Sequence, residues 1–152
     1  MREILFRGKQ VSDGEWIEGY VFPQVIDGGY APLCITTEPI CANDYSEILG
    51  DWAIVDSSTV GQYTGLTDKN GKKIFEGDII RVKYSIRCPI EVGNSFRIGT
   101  YDTDYIASVI FDDCRFCLAK ANGEIREIPL SSENIEVIGN IHDDPEMLEG
   151  KS

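Results

Sequence analysis

Residues 63–82 read Tyr-Thr-Gly-Leu-Thr-Asp-Lys-Asn-Gly-Lys-Lys-Ile-Phe-Glu-Gly-Asp-Ile-Ile-Arg-Val. They place two turn signals and the start of a strand close together, and this limits the chain to a few antiparallel arrangements. Asn70-Gly71 is the dipeptide favoured at the centre of a type I′ turn, where both residues need positive φ. With Leu66 before it and Ile74-Phe75 after it, the spacing predicts a tight hairpin. Glu76-Gly77-Asp78 is a second turn signal. Beyond it Ile80, Val82 and Tyr84 alternate with Arg81 and Lys83, the period-2 pattern of a half-buried strand.

The rest of the chain carries similar signals. Strands are expected at Ile4-Leu-Phe6 and over residues 16–22, joined around Ser12-Asp13-Gly14, with a turn at Asp27-Gly28-Gly29. Pro32 and Pro39 make residues 30–41 an irregular or edge segment. Residues 43–49 fit no single template. Residues 52–55 read as a strand, and Asp56-Ser57-Ser58 as the cap of one helical turn. Pro89, Gly93, Asn94 and Gly99 interrupt residues 88–103, which read as a long loop or a hairpin excursion. Residues 105–111 and 115–119 are strands about a turn at Asp112-Asp113. Asn122-Gly123 is a second Asn-Gly hairpin, and residues 135–141 a further strand. Asp144 as N-cap and Pro145 at the first helical position predict a short helix over residues 146–149.

The expected fold is therefore mainly β (a β-rich α+β protein). Residues 63–84 and 105–141 would form a curled antiparallel sheet or an SH3-like barrel. Residues 1–60 would add an N-terminal β element, and residues 61–152 would end in the short helix, all as one unit overall.

Composition narrows the function. The chain has 152 residues, 42% of them apolar, and 15 glycines, with no apolar run near the ~20 residues of a membrane span. No membrane partner is expected. The opening residues lack the longer apolar core of a signal peptide. Cys34, Cys41, Cys88, Cys114 and Cys117 make an odd count. Together these features point to reduced thiols in a bacterial cytoplasm.

The net charge is −12. From Gln10 to Asp68 there are ten acidic residues and no Lys or Arg. From Lys69 to Arg87 there are six basic residues against Glu76 and Asp78. The acidic excess disfavours nucleic acid as a partner, since phosphate contacts need a basic surface. The segregation also allows a basic segment of one copy to meet an acidic surface of another, and unpaired strand edges favour a homo-oligomer.

Catalytic signals are weak. Cys114-Arg-Phe-Cys117 has the spacing of a zinc knuckle but lacks a matching second pair. Asp102-Thr-Asp104, Asp112-Asp113 and Asp143-Asp144 pair carboxylates, as turns also do. The lone His142 sits beside acidic turn residues, and there is no nucleophile elbow, Walker A or dinucleotide fingerprint. No enzyme, metal or cofactor is expected. One binding constellation stands out: Lys69, Lys72, Lys73, Phe75, Arg81 and Lys83, flanked by Tyr63 and Tyr84. Aromatics stack on bases while cations follow phosphates. The plainer reading puts Phe75 and Tyr84 in the core, with the cations on a solvated outer face.

Three stretches resemble the YopX family: Arg2-Glu-Ile with Phe6-Arg7, residues 60–80 almost throughout, and Ile135-Glu-Val-Ile-Gly-Asn-Ile-His-Asp-Asp-Pro-Glu-Met-Leu148. The resemblance covers nearly the whole chain. It implies a β-rich fold and a phage or prophage origin, and it brings no catalytic residues. Residues 23–41 and 88–104 depart from the pattern and are candidates for the chain's own specificity. The expected role is a non-enzymatic accessory protein that binds another protein. The alternatives are nucleic-acid binding through residues 69–87 and DNA mimicry by acidic residues 10–68.

Overall fold

The computed structural model describes residues 4–23, 32–38, 51–129 and 131–149. Two compact units are present. One comprises Met1–Leu66 with Lys73–Glu76, the other Thr67–Lys72 with Gly77–Ser152. The division cuts through the block at residues 63–82 and so differs from a boundary at residue 60.

The first unit is built on a six-stranded sheet. In chain order its strands are β1 (Phe6–Lys9), β2 (Trp16–Pro23), β3 (Leu33–Thr36), β4 (Trp52–Ile54), β5 (Gly61–Thr67) and β6 (Lys73–Phe75). Across the sheet they run β4-β3-β2-β1-β5-β6. β1 and β2 form the hairpin expected about residues 12–14, with Lys9 opposite Trp16. β3 corrects the expectation of an irregular or edge segment. It lies inside the sheet, with Ile35 opposite both Val21 and Ala53, and Cys34 and Ile35 fully buried. Pro32 precedes the strand and so removes no ladder bond from it. Pro39 and the segments 27–29 and 43–49 lie outside the described residues. The cap at Asp56 is present, its carboxylate accepting the Ser58 N–H at 3.0 Å. The core holds Leu5, Tyr63 and Phe75 in one cluster and Ile17, Ile35 and Val55 in another.

The second unit is built on a five-stranded antiparallel sheet of order β10-β9-β8-β7-β11. Its strands are β7 (Asp78–Val92), β8 (Ser95–Asp112), β9 (Arg115–Lys120), β10 (Ile125–Arg126) and β11 (Ile135–Asn140). The expected terminal helix is a single turn, α1 (Glu146–Glu149). Residues facing each other across antiparallel strands share a face. On one face Ile80 lies opposite Ala107, Val82 opposite Ile135 and Val109 opposite Leu118, and all six are buried.

The fold is thus β-rich, as expected. Of the two expected forms, the antiparallel sheet is adopted and the SH3-like barrel is not. Among the described residues neither sheet closes, and the edges are β4 and β6 in one and β10 and β11 in the other. The reason lies in the block itself: β5 and β6 join the first sheet and β7 the second, so residues 63–84 do not form one continuous barrel wall. Among the described residues, no helix is long and apolar enough to cross a membrane.

The turns also differ from expectation. Gly71 takes φ 79 but Asn70 stays at negative φ, and the turn closes with Gly71 N–H donating to Asp68 O at 3.0 Å. A side chain inserted here explains the change. The buried Asp68 carboxylate accepts N–H bonds from Asn70 and Lys72, each at 2.9 Å, and from Val137 on β11 at 3.0 Å. The geometry with two positive φ values occurs instead at Asp113-Cys114, φ 49 and 61, in the two-residue loop between Asp112 and Arg115.

Candidate interaction surface

The structure distributes the six sequence-predicted binding residues over both units. Lys73 and Phe75 belong to the first, and Lys69, Lys72, Arg81 and Lys83 to the second. Phe75 is 1% exposed and packs on Tyr63 at 5.5 Å between ring centres, so it is core. Lys73 Nζ sits 5.8 Å from the Tyr63 ring. Lys69 pairs with Glu136 at 3.4 Å, and Arg81 with Asp104 at 3.6 Å. Lys72 lies beside Asp68. Lys83 is exposed, opposite Asp104 in the β7–β8 register.

Asp68 organises this region. Burial alone would raise its carboxyl pKa. The N–H donors of Val137, Lys72 and Asn70, with the Lys72 ammonium, outweigh burial and hold it below the usual carboxylate range. The Lys69 N–H adds a bond to Ile135 O at 2.9 Å. These contacts fasten residues 67–72 to β11, so the recognisable Thr-Asp-Lys-Asn-Gly sequence acts as a structural pin.

The far half of β7 and β8 presents a further surface, where residues 88–103 adopt the hairpin excursion rather than the long loop. β11 accompanies β7 only as far as Val82, and β9 accompanies β8 only from Ala107. Beyond those points, among the described residues, the two strands pair with each other alone, up to Val92 opposite Ser95. They form an arm about 30 Å long at ~3.3 Å per residue. None of residues 83–106 is buried.

The arm has two chemically different faces. On one, β7 contributes Tyr84, Ile86, Cys88, Ile90 and Val92 at alternate positions, continuing the buried Ile80 and Val82. β8 adds Thr103, Tyr101, Gly99 and Arg97 opposite Tyr84, Ile86, Cys88 and Ile90. The other face carries Lys83, Ser85, Arg87 and Glu91 with Asp102 and Asp104, and turns apolar only near its tip, at Ile98 and Phe96. Tyr101, Ile98 and Phe96 are 52%, 64% and 72% exposed. The alternating pattern was legible on β7, but Pro89, Gly93 and Gly99 read as breaks. Pro89 fits because β7 is an edge strand there.

At the foot of the arm a cavity of about 390 Å³ is lined by Arg81, Tyr84, Asp104, Tyr105, Lys120 and Asn122. The Tyr105 ring has Lys120 Nζ at 5.5 Å, Arg126 Cζ at 5.1 Å and the Tyr84 ring at 5.8 Å. Burial pushes the Tyr105 phenol up, aided by Tyr84 and Glu124, against the pull of Arg126. Glu124 bonds both Lys120, at 3.0 Å, and Arg126, at 2.7 Å. The Lys120 bond comes first among the causes that lower its carboxyl pKa. The two cations at this foot thus share one carboxylate. Of the Cys114–Cys117 pair, Cys117 is buried and Cys114 sits exposed in its turn.

A family model described as YopX protein matches residues 6–149. No curated protein matches the chain. Among solved structures the chain is similar to the crystal structure of protein EF1440 from Enterococcus faecalis. The two are 25% identical, with 97% of this chain and 99% of that chain covered and a TM-score of 0.54.

Proposed function

The chain belongs to the YopX family, and on that premise we propose that it is a phage- or prophage-encoded accessory protein that works in the bacterial cytoplasm by binding another protein, without catalysis. The observation that carries this reading is the exposed apolar face of the β7–β8 arm. An isolated two-stranded ribbon is marginal in water. A contiguous exposed apolar stripe on such a ribbon is a feature of contact surfaces. Nucleic-acid binding through residues 69–87 has less support, because Phe75 is buried and Lys69 and Arg81 are ion-paired.

The test is capture from a host bacterial lysate on tagged protein, with and without nuclease, comparing the native chain with an Ile90→Ser/Tyr101→Ser variant. Proteins retained after nuclease and released by the variant are the expected result. Retention that disappears with nuclease would transfer the function to nucleic acid. Retention indifferent to the variant would remove the arm from the mechanism.

A further inference from the structure

Resting on that protein-binding reading, we infer that the partner of the arm is a second copy of this chain, with the two arms laid apolar face to apolar face about a two-fold axis. A two-fold contact requires a self-complementary surface, in which the foot of one arm meets the tip of the other. The stripe is graded in that way. Its foot is aromatic, with Tyr84 and Tyr101, and its tip is aliphatic, with Ile90, Val92 and the guanidinium of Arg97. An antiparallel crossing sets the aliphatic tip on the partner's rings and brings Arg97 over a tyrosine face, a favourable cation–π pairing.

Charge agrees with this occupant. Residues 83–104 hold Lys83, Arg87 and Arg97 against Glu91, Asp102 and Asp104, three charges of each sign, so the arm is neutral. The whole net charge of −12 therefore resides outside it. Two copies of so acidic a chain repel each other, and the arm is the segment through which they can touch without adding to that repulsion.

Area sets the strength of the contact. On that face Tyr84, Ile90, Val92 and Tyr101 are 37% to 52% exposed. At roughly 100 Å² for each such side chain, two copies would bury about 800 Å², in the range of weak, transient contacts below the standard interface size. The predicted dimer is accordingly weak, in the micromolar range.

The centre of the stripe supplies a direct probe. Cys88 lies midway between Tyr84 and Val92, opposite Gly99, and so close to the proposed axis. In a Cys41→Ser/Cys114→Ser background, where Cys34 and Cys117 are buried, a short bismaleimide should link two chains through Cys88. Sedimentation should show dimer at about 50 µM. Ile90→Asp and, separately, Tyr101→Asp should weaken self-association at least tenfold and abolish the cross-link, with the circular dichroism spectrum unchanged. A native chain that stays monomeric at that concentration, or a dimer that survives both substitutions, overturns the inference. If the chain is monomeric yet lysate capture still requires the arm, only the identity of the partner is wrong. If the substitutions change neither, the protein-binding reading fails with it.

Discussion

Residues 67–72 and the arm of residues 83–104 follow one another in the same unit and are both rich in charged and turn-forming residues, yet they are held in opposite ways. The first segment is short and over-determined. One buried carboxylate takes three backbone N–H groups, and a main-chain bond and an ion pair add to it. The second is long and under-determined. Among the described residues its strands have only each other, and its large side chains face water. A segment whose buried carboxylate and main chain are bonded within its own unit has little of either left with which to bind. A ribbon that leaves an apolar face uncovered has bound surface still to gain. The most recognisable sequence in the chain therefore serves architecture, and the proposed contact surface lies in a stretch with little recognisable pattern.

The largest effect separating the two kinds of segment should come from the block's aromatic. Phe75→Ala removes a ring that is 1% exposed and packed between Tyr63 and the Arg7 guanidinium, 5.0 Å away. It should cost about 4 kcal/mol in urea unfolding. Phe75 was among the six predicted binding residues, so a loss below about 1 kcal/mol would return it to the surface.

Asp68→Ala comes next, at about 3 kcal/mol, because it leaves three N–H groups without their charged acceptor. The pH dependence is specific. The Asp68 carboxyl pKa is lowered in the folded chain, so its stabilisation is complete above the unfolded value near ~4 and is lost as pH falls through the folded value. The stability gap between the native chain and Asp68→Asn should be widest at neutral pH and close on acidification. A gap that widens in acid would reverse the sign of the shift and undo the pin.

Much of the architecture was legible from sequence because alternation and turn residues report local geometry. β2, β5, β7, the residue 12–14 turn and the Asp56 cap could all be read that way. Two features could not, and a third only in part. β3 was masked by flanking prolines, whose cost depends on whether a ladder bond is needed at that position. The Asn70-Gly71 turn was decided by Asp68 reaching Val137 on β11, a contact of long sequence separation. The arm was legible only as a long loop or a hairpin excursion, because breakers at Pro89 and Gly99 matter less on a ribbon with free edges. The six-residue candidate site was a grouping by sequence nearness, and pairing placed its members in separate units.

A smaller effect tests how strictly the hairpins of the second unit are set. Cys114 holds φ 61 with a side chain that gains nothing there, since it is exposed. The left-handed region costs an L-residue with a Cβ roughly 1 kcal/mol. Cys114→Gly should therefore stabilise the unit by up to about 1 kcal/mol, less the entropy glycine gains in the unfolded chain. Destabilisation by more than that would mean the Cys114 side chain makes a contact that matters.

The smallest effect is the sharpest test of the comparison. Tyr101 is large and aromatic, as Phe75 is, but 52% of it faces solvent. Below about 1 µM, where two copies are apart, Tyr101→Ser should move unfolding by no more than ~0.5 kcal/mol. Raising the concentration changes the expectation. Association that favours the folded state makes the thermal midpoint of the native chain climb with concentration, and Tyr101→Ser should flatten that climb. A midpoint equally flat in both proteins would leave the arm apolar for some other partner. A loss of 2 kcal/mol or more in the dilute protein would mean that the arm is packed within its own chain, and the contrast between pin and arm would then disappear.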